Sequence, residues 1–442
     1  MTQTIAERLQ RAWQRTDLIF STLKPEAFLA QPISLRHPFI FYVGHLPAFA
    51  WIHICGGTLA RPPFAPAFDD MFSRGIDPDV DDPEQCHDHP DVPERWPEID
   101  TVLGYRDRVR AAVLASIDAV AERSSADPMA RNGRVFSMVV EHELMHQETL
   151  LYMVQQLAPE LKARPSWLPD FALGEPGRRR PVAVAAGRAT LGADFEALAF
   201  GWDNEFPSAS VEVGAFAIDT LPVSNAEFLE FVQSGAYNQS GLWREEDWAW
   251  KIRTGFDHPC FWVRRNGAWL YQTAFDLLPL ADARGWPAYV SLAEARAFAR
   301  WRGGRLPTEP EFHRAAYGRP AGREHPAPGT EDTAAPGRGN FDFASWAPVP
   351  AGSHPRAASA WGVHDLVGNG WEWTDTPFEG FPGFKAYIER YPGYSADFFD
   401  GKHYVLKGAS WATDGDLVRP SFRNWYQAHY PFVFAKFRCV WD

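Results

Sequence analysis

The chain has 442 residues, of which 45% are hydrophobic and 22% are charged, so we expect a globular protein with about two domains. Its formal net charge of −13 argues against a nucleic-acid partner, because binding to phosphates needs clustered Lys and Arg. The start of the chain lacks the basic and apolar regions of a signal peptide, and we find no run of about 18 apolar residues. We therefore expect a cytoplasmic protein with no membrane partner.

The first 165 or so residues are predicted to be helical. Apolar residues recur at three-and-four spacing in four segments, which are 6–22, 39–56, 99–122 and 134–157. Residues 62–97 are too rich in Pro and Asp for a helix, and we predict a long loop that lines a pocket. The pattern favours a four-helix bundle over residues 1–165.

The residue pattern of the sequence changes after an irregular linker, which we predict at residues 166–181. Short β-like runs then alternate with stretches rich in Gly, Pro, Asn and Trp, and only 224–233 and 292–302 look helical. We predict that residues 182–442 form a domain with little regular structure, which makes the fold class α+β. The 19 Trp residues suit binding of sugars or quaternary ammonium groups, or else an aromatic core.

The four cysteines are far apart and form no CxxC pair. They are Cys55, Cys86, Cys260 and Cys439. Neither a disulfide framework nor a thiolate zinc site is indicated, and we expect reduced thiols.

The strongest local signal is the segment EHELMHQET at residues 141–149. His142 and His146 are four residues apart, so both imidazoles lie on one helical face within an apolar stripe. Burying two unpaired histidines is costly, and a shared metal ion would remove that cost; surface or structural histidines are the alternative. The pattern therefore indicates a candidate metal site.

A third ligand must come from another helix. His45 is the best candidate, because it is a polar ring in the apolar segment FIFYVGHLPAFAW. His37 and His53 are rivals, and Glu148 falls about 200° around the helix from His146, outside the ligand set. Three histidines suit iron or zinc, so these residues alone do not name the metal.

Six ordered motifs in the second half resemble the formylglycine-generating-enzyme type of domain, which has a C-type-lectin-like fold. They are FGWDNE (200–205), PVSNAEFLEFV (222–232), GGRLPTEPEFHRAA (303–316), GNGWEWT (368–374), LKGASW (406–411) and FRNWYQAHYPFVFAKFRC (422–439). No cysteine lies between Cys260 and Cys439, so we do not expect the cysteine-dependent chemistry of that family.

The first half, with its HxxxHxE motif, resembles the DinB type of bundle. The combination of both domains is similar to the hercynine-using iron sulfoxide synthases of ergothioneine biosynthesis. That resemblance implies iron(II) held by His45, His142 and His146, with hercynine and dioxygen as substrates.

The same resemblance implies roles for several aromatic and polar residues. Tyr391, in the segment YPGYSADFF, resembles the catalytic proton donor of the family. The implied substrate-binding residues are Tyr394, Asn424, Trp425, Tyr426 and Trp411. Tyr394, Trp425 and Trp411 would face the trimethylammonium group, and Asn424 would hold the carboxylate.

The sequence departs from the sulfoxide synthases directly after FRNW. Tyr426 stands where those enzymes have an acidic residue that meets the amine of a cysteine-type donor. This difference resembles the selenoneine synthase branch, which implies a selenosugar donor and a C–Se bond. C–S bond formation from cysteine or γ-glutamylcysteine is the first alternative, and a non-catalytic, metal-stabilised sugar- or peptide-binding protein is the second.

Overall fold

The computed structural model describes residues 3–73, 77–78, 86–87, 93, 95–123, 127–320, 324, 337–391 and 394–442. The chain divides into two compact units. The first comprises Met1–Ser166 together with two short segments from later in the sequence, Leu198–Trp202 and Ala386–Pro392. The second comprises Trp167–Ala197, Asp203–Lys385 and Gly393–Asp442. The predicted boundaries at residues 165 and 181 stay a prediction.

Long helices dominate the first unit. Its described α-helices are α1 (Ile5–Phe20), α2 (Phe39–Ala50), α3 (Pro66–Phe72), α4 (Ile99–Leu114), α5 (Ile117–Ala121) and α6 (Arg134–Gln156). Two short strands, β1 (Asp77–Pro78) and β2 (Cys86–His87), pair antiparallel in the same unit. The four predicted helical segments are thus confirmed, although segment 99–122 is interrupted at Ser116. The Ser116 hydroxyl donates to the Ala112 carbonyl and so competes with the helical ladder.

Helix α1 begins with a capping box and is fastened to two other helices. The Thr4 hydroxyl accepts the Glu7 N–H while the Glu7 carboxylate accepts the Thr4 N–H. The buried amide of Gln147 on α6 donates to the Ala12 carbonyl at 2.9 Å, and Arg110 on α4 pairs with Asp17 at 2.7 Å. These bonds fix α6, which carries the HxxxH motif, against α1.

Helix α2 continues without a break into a π-helix over Trp51–Thr58. Together Phe39–Thr58 are long and apolar enough to cross a membrane. The expectation that the chain has no apolar run of this length was therefore wrong. However, 89% of the most apolar window is buried inside the structure, as in the core helix of a bundle.

The predicted loop at residues 62–97 contains helix α3, so that expectation was wrong in part. Pro66 stands at the first turn, where a missing N–H costs nothing, and Asp69 accepts the N–H groups of Phe64 and Ala65. The Tyr105 hydroxyl donates to the other oxygen of Asp69 at 2.7 Å and anchors α3 to α4. Most of residues 74–94 lie outside the described residues, so the predicted pocket wall there stays a prediction.

The second unit consists of short strands, short helices and much coil, so the predicted α+β class is confirmed. Its described strands are β3 (Pro181–Val184), β4 (Gly187–Leu191), β5 (Ala209–Val213), β6 (Phe216–Asp219), β7 (Trp262–Arg265), β8 (Ala268–Gln272), β9 (Leu277–Pro279), β10 (Gly370–Pro377), β11 (His403–Ala409), β12 (Asn424–Gln427), β13 (Ala435–Lys436) and β14 (Val440–Trp441). They form sheets in the orders β12-β11-β10-β13, β14-β6-β3, β4-β5 and β7-β8-β9.

Both predicted helices of the second unit are present, and two more were missed. The described helices are α7 (Asn225–Gln233), α8 (Glu245–Thr254), α9 (Leu292–Trp301) and α10 (Glu309–Tyr317). Helix α10 carries a capping box between Thr308 and Glu311, and the residues of this box within the GGRLPTEPEF motif are a sequence signal for a helix start. Helix α8 has acidic residues in its first turn and basic residues in its last, which suits the helix dipole.

Candidate metal centre

Three histidines of the first unit converge in its core. The potential ligand atoms of His45, His142 and His146 all lie within 4.8 Å of one another. The Nε2 atoms of His142 and His146 are 3.2 Å apart, and the ring centroid of His45 lies 5.1 Å from each of the other two. Helix α6 thus supplies two imidazoles one turn apart and α2 supplies the third, as the sequence predicts.

The orientation of the His45 ring is set by helix α3. Its Nδ1–H donates to the Phe72 carbonyl at 2.8 Å, which leaves the Nε2 lone pair for a metal ion. Gly44 makes this approach possible, because a Cβ at that position would lie 2.4 Å from the Phe72 ring. The sequence contained no signal for this contact, since Phe72 lies in the segment that we predicted as a loop.

All three rings are held in their neutral form. Burial lowers the pKa of His45 to about 4, against the opposing effect of the Phe72 carbonyl. Burial, together with the neighbouring His146, His45 and His53 rings, holds the pKa of His142 well below its usual range. Burial and the charges of His45 and Arg36 do the same to His146. Neutral imidazole is the form that binds a metal ion.

The residues present fit a metal ion bound by nitrogen. His45 and His142 are only 3% and 2% exposed, and the Nδ1 atom of His146 is buried without a hydrogen-bond partner among the described residues. His142 and His146 are close enough to share one hydrogen bond, whereas a shared cation would satisfy all three rings. The identity of the ligands stays a prediction.

The rival residues lie outside this cluster. His37 stacks on Phe41 with ring centroids 4.1 Å apart, and Glu148 is buried on α6 without joining the three ligands. His53 lies on the π-helix and contacts Phe49, with ring centroids 4.2 Å apart. Burial, the Arg390 guanidinium and His45 lower the pKa of His53 to about 4.

Tyr391 belongs to the first unit although it lies late in the sequence. Its ring makes edge-to-face contacts with His142 at 6.0 Å, Phe49 at 4.9 Å and His53 at 5.6 Å between centroids. Phe49 itself stacks on His142 at 3.6 Å with an interplanar angle of 5°. The structure therefore places the predicted proton donor beside a predicted metal ligand.

Two further side chains at this site were not predicted. Trp202 is 1% exposed, and its indole Nε1–H donates to the Glu141 carboxylate at 2.9 Å. The Trp202 ring lies 6.3 Å from the Tyr391 ring. The FGWDNE motif predicted only the second domain, although its Trp contacts helix α6.

The predicted substrate-binding residues lie in the second unit, where Trp425 contacts Tyr394. The Trp425 indole donates to the Tyr394 carbonyl at 3.1 Å, and the two rings are 5.7 Å apart. Asn424 and Tyr426 lie on the other face of β12, because side chains alternate along a strand. Tyr426 pairs in register with Tyr404 of β11.

Trp411 is a core residue of the second unit. It is 2% exposed and packs against Phe343 and Phe434, with ring centroids 6.3 and 4.8 Å away. This burial is typical of a packing residue, and the contact of Trp411 with substrate stays a prediction. Tyr394, Asn424, Trp425 and Tyr426 stay predicted substrate contacts.

Comparison with known proteins matches two parts of the chain to two different families. Residues 175–442 match the sulfatase-modifying factor enzyme 1-like domain, and residues 8–150 match the DinB superfamily. Ergothioneine biosynthesis protein 1 of Neurospora crassa is 31% identical over 97% of this chain and 57% of its own length. The protein of the same name from Schizosaccharomyces pombe is 32% identical over 92% and 52%.

A bacterial relative is matched over more of its own length. The hercynine oxygenase of Mycolicibacterium thermoresistibile is 36% identical over 76% of this chain and 73% of the relative. The chain spans little more than half the length of the two fungal relatives, so their further parts have no counterpart in the residues compared.

Proposed function

The chain belongs to the family of the hercynine oxygenases, and from this premise we propose that it forms a carbon–sulfur bond oxidatively on the imidazole of hercynine. The observation that carries this proposal is the cluster of three neutral histidines, two of them on α6, with the Tyr391 ring beside His142. The identity to relatives does not by itself give the distance between the Tyr391 ring and His142, which is 6.0 Å between centroids.

We propose iron(II) as the metal, with His45, His142 and His146 as its ligands. Bound iron(II) would supply one-electron redox chemistry with dioxygen, which a closed-shell zinc ion would not. The chain's own contribution is to keep the three rings neutral by burial and to orient His45 through the Phe72 carbonyl.

The overall reaction balances without a further reductant. The imidazole C–H bond and the thiol S–H bond break, a C–S bond and an S–O bond form, and the second oxygen atom of dioxygen leaves as water. The four electrons that reduce dioxygen come from the ring carbon and the sulfur. Tyr391 would deliver a proton from its hydroxyl, because its ring is held beside His142 by Phe49 and His53.

The relatives favour sulfur over the selenosugar donor that we expected from the sequence. Two of them are named for the biosynthesis of ergothioneine, which is the sulfur derivative of hercynine. A selenosugar remains the second candidate because of Tyr426. Its ring stacks on Tyr430 at 5.3 Å, so this position offers a neutral aromatic surface in place of a carboxylate for a donor ammonium group.

The test is aerobic turnover with the mass of the product determined. We expect hercynine, ferrous iron and γ-glutamylcysteine to yield the hercynine–donor sulfoxide, and both His142→Ala and Tyr391→Phe to reduce that yield strongly while the fold stays intact. Direct competition between γ-glutamylcysteine and a selenosugar decides the donor, and preferential formation of the C–Se product would reverse the choice.

A binding protein that holds zinc would give a different result in the same experiment. It would consume no dioxygen with any donor, and His142→Ala would change its stability alone. We expect oxygen uptake that depends on hercynine and donor together.

A further inference from the structure

We propose that Trp202 is a positioning residue, which holds the segment bearing Tyr391 against helix α6 through its bond to Glu141. This inference rests on the proposed function and adds to it the device that places the proton donor. Trp202 and Glu141 are not members of the candidate metal cluster.

The bond between Trp202 and Glu141 joins two side chains that are almost completely buried. Trp202 is 1% and Glu141 is 3% exposed, and the Nε1–Oε2 distance is 2.9 Å. Breaking this bond would remove a hydrogen bond between two buried groups, which is costly. Glu141 directly precedes His142, so the bond attaches Trp202 next to a predicted ligand.

The segment Leu198–Trp202 is attached to α6 at two points. The Arg134 Nε–H donates to the Ala199 carbonyl at 3.0 Å, and the Trp202 indole reaches Glu141. Residues 134 and 141 are seven apart, so they lie on one face of the helix two turns from each other. Two bonds along one face fix both the position and the direction of the segment.

The segment carrying Tyr391 is in turn attached to Leu198–Trp202. The Tyr387 hydroxyl donates to the Gly201 carbonyl, and the Tyr391 and Trp202 rings contact each other at 6.3 Å. The other ring neighbours of Tyr391 among the described residues, Phe49, His53 and His142, come from helices. Trp202 is therefore the ring neighbour of Tyr391 that comes from the segment Leu198–Trp202 and not from a helix of the bundle.

A double-mutant cycle tests the coupling. Trp202→Phe keeps an aromatic ring but removes the N–H donor, and we expect kcat to fall about tenfold to a hundredfold, as a misplaced catalytic group does, with KM for hercynine nearly unchanged. In a Tyr391→Phe background the same change should have almost no further effect on kcat, because the group that it positions is gone. Glu141→Gln should restore most of the activity lost in Glu141→Leu, since its amide oxygen still accepts the indole N–H.

A matched control separates positioning from general stability. Trp373 is a buried Trp of the second unit whose indole donates to the Val290 carbonyl at 2.9 Å. Trp373→Phe loses an equivalent bond without touching Tyr391, so kcat per folded molecule should stay at the wild-type value. An equal loss of kcat in Trp373→Phe would overturn the proposal.

A second readout needs no turnover. In the metal-free protein, Trp202→Phe should speed amide hydrogen exchange in residues 386–391, and Trp373→Phe should not. Additive effects of Trp202→Phe and Tyr391→Phe on kcat, with unchanged exchange, would refute the positioning role. If Tyr391→Phe itself left turnover intact, the proposed function of Tyr391 would fail instead, and the exchange result would still report on the bond.

Discussion

At the scale of single residues, the site depends on keeping imidazoles uncharged inside a core. His45 shows how this is done, because burial lowers its pKa to about 4 while a single backbone carbonyl fixes its Nδ1–H. Its apolar sequence context was enough to predict its burial. The Phe72 carbonyl could not be predicted, because any backbone group can accept such a bond and only the packing decides which one does.

The low pKa of His45 predicts how the stability of the metal-free protein depends on pH. An unfolded His takes up a proton near pH 6.5 and folded His45 only near pH 4, so stability present above pH 6.5 is lost as the pH falls through this window. The loss from this residue is about 3 kcal/mol at pH 4. Denaturant unfolding of wild type and His45→Phe at pH 7, 6 and 5 measures it.

The wild-type protein should lose more stability between pH 7 and pH 5 than His45→Phe does. His258→Gln is the control, because that ring is partly exposed next to Asp257 and lies in the second unit. Parallel curves for wild type and His45→Phe would refute the assigned cause.

At the scale of elements, the approach of α3 to α2 positions His45. Gly44 has its ideal Cβ position only 2.4 to 2.6 Å from three atoms of the Phe72 ring, so this glycine is required by contact and not by its backbone angles. The amphipathic spacing predicted α6 and its two histidines well. It gave no information on α3, whose seven residues are too few for a periodic signal.

Gly44→Ala is therefore expected to destabilise the protein, although Ala normally favours a helix. Overpacking against Phe72 should cost about 1–3 kcal/mol, and displacement of the Phe72 carbonyl should weaken metal binding by His45. Gly104→Ala on α4 is the matched control, because its Cβ would meet only the end of the Arg108 side chain at 3.5 Å. That variant should be neutral or more stable by about 0.5–1 kcal/mol, and equal unfolding midpoints for the two variants would contradict the packing argument.

At the scale of the whole molecule, the helical unit is completed by residues that lie far along the sequence. Leu198–Trp202 and Ala386–Pro392 belong to the first unit although motifs of the second domain surround them. The resemblance of the motifs predicted both domains and the role of Tyr391. It did not predict that these two segments belong to the first unit. The order of motifs shows which residues are neighbours in the sequence, but it does not show on which surface a loop packs.

Residues 1–166 alone should therefore form a helical unit that lacks part of its packing. A fragment of residues 1–166 lacks Trp202 and Tyr391, which leaves the buried Glu141 without its indole partner and uncovers Phe49. We expect the fragment to bind a hydrophobic dye and to melt well below the corresponding transition of the intact chain. A fragment that matched the intact chain in both measurements would show that the two segments contribute little.

The most direct test of the account is an anaerobic titration of the metal-free protein with ferrous iron, with the bound metal counted after desalting. We predict one iron per wild-type chain and almost none in His45→Ala, His142→Ala or His146→Ala, whereas His37→Gln and His258→Gln should retain it. Undiminished iron in the three alanine variants, or a loss in only one of them, would contradict a shared centre.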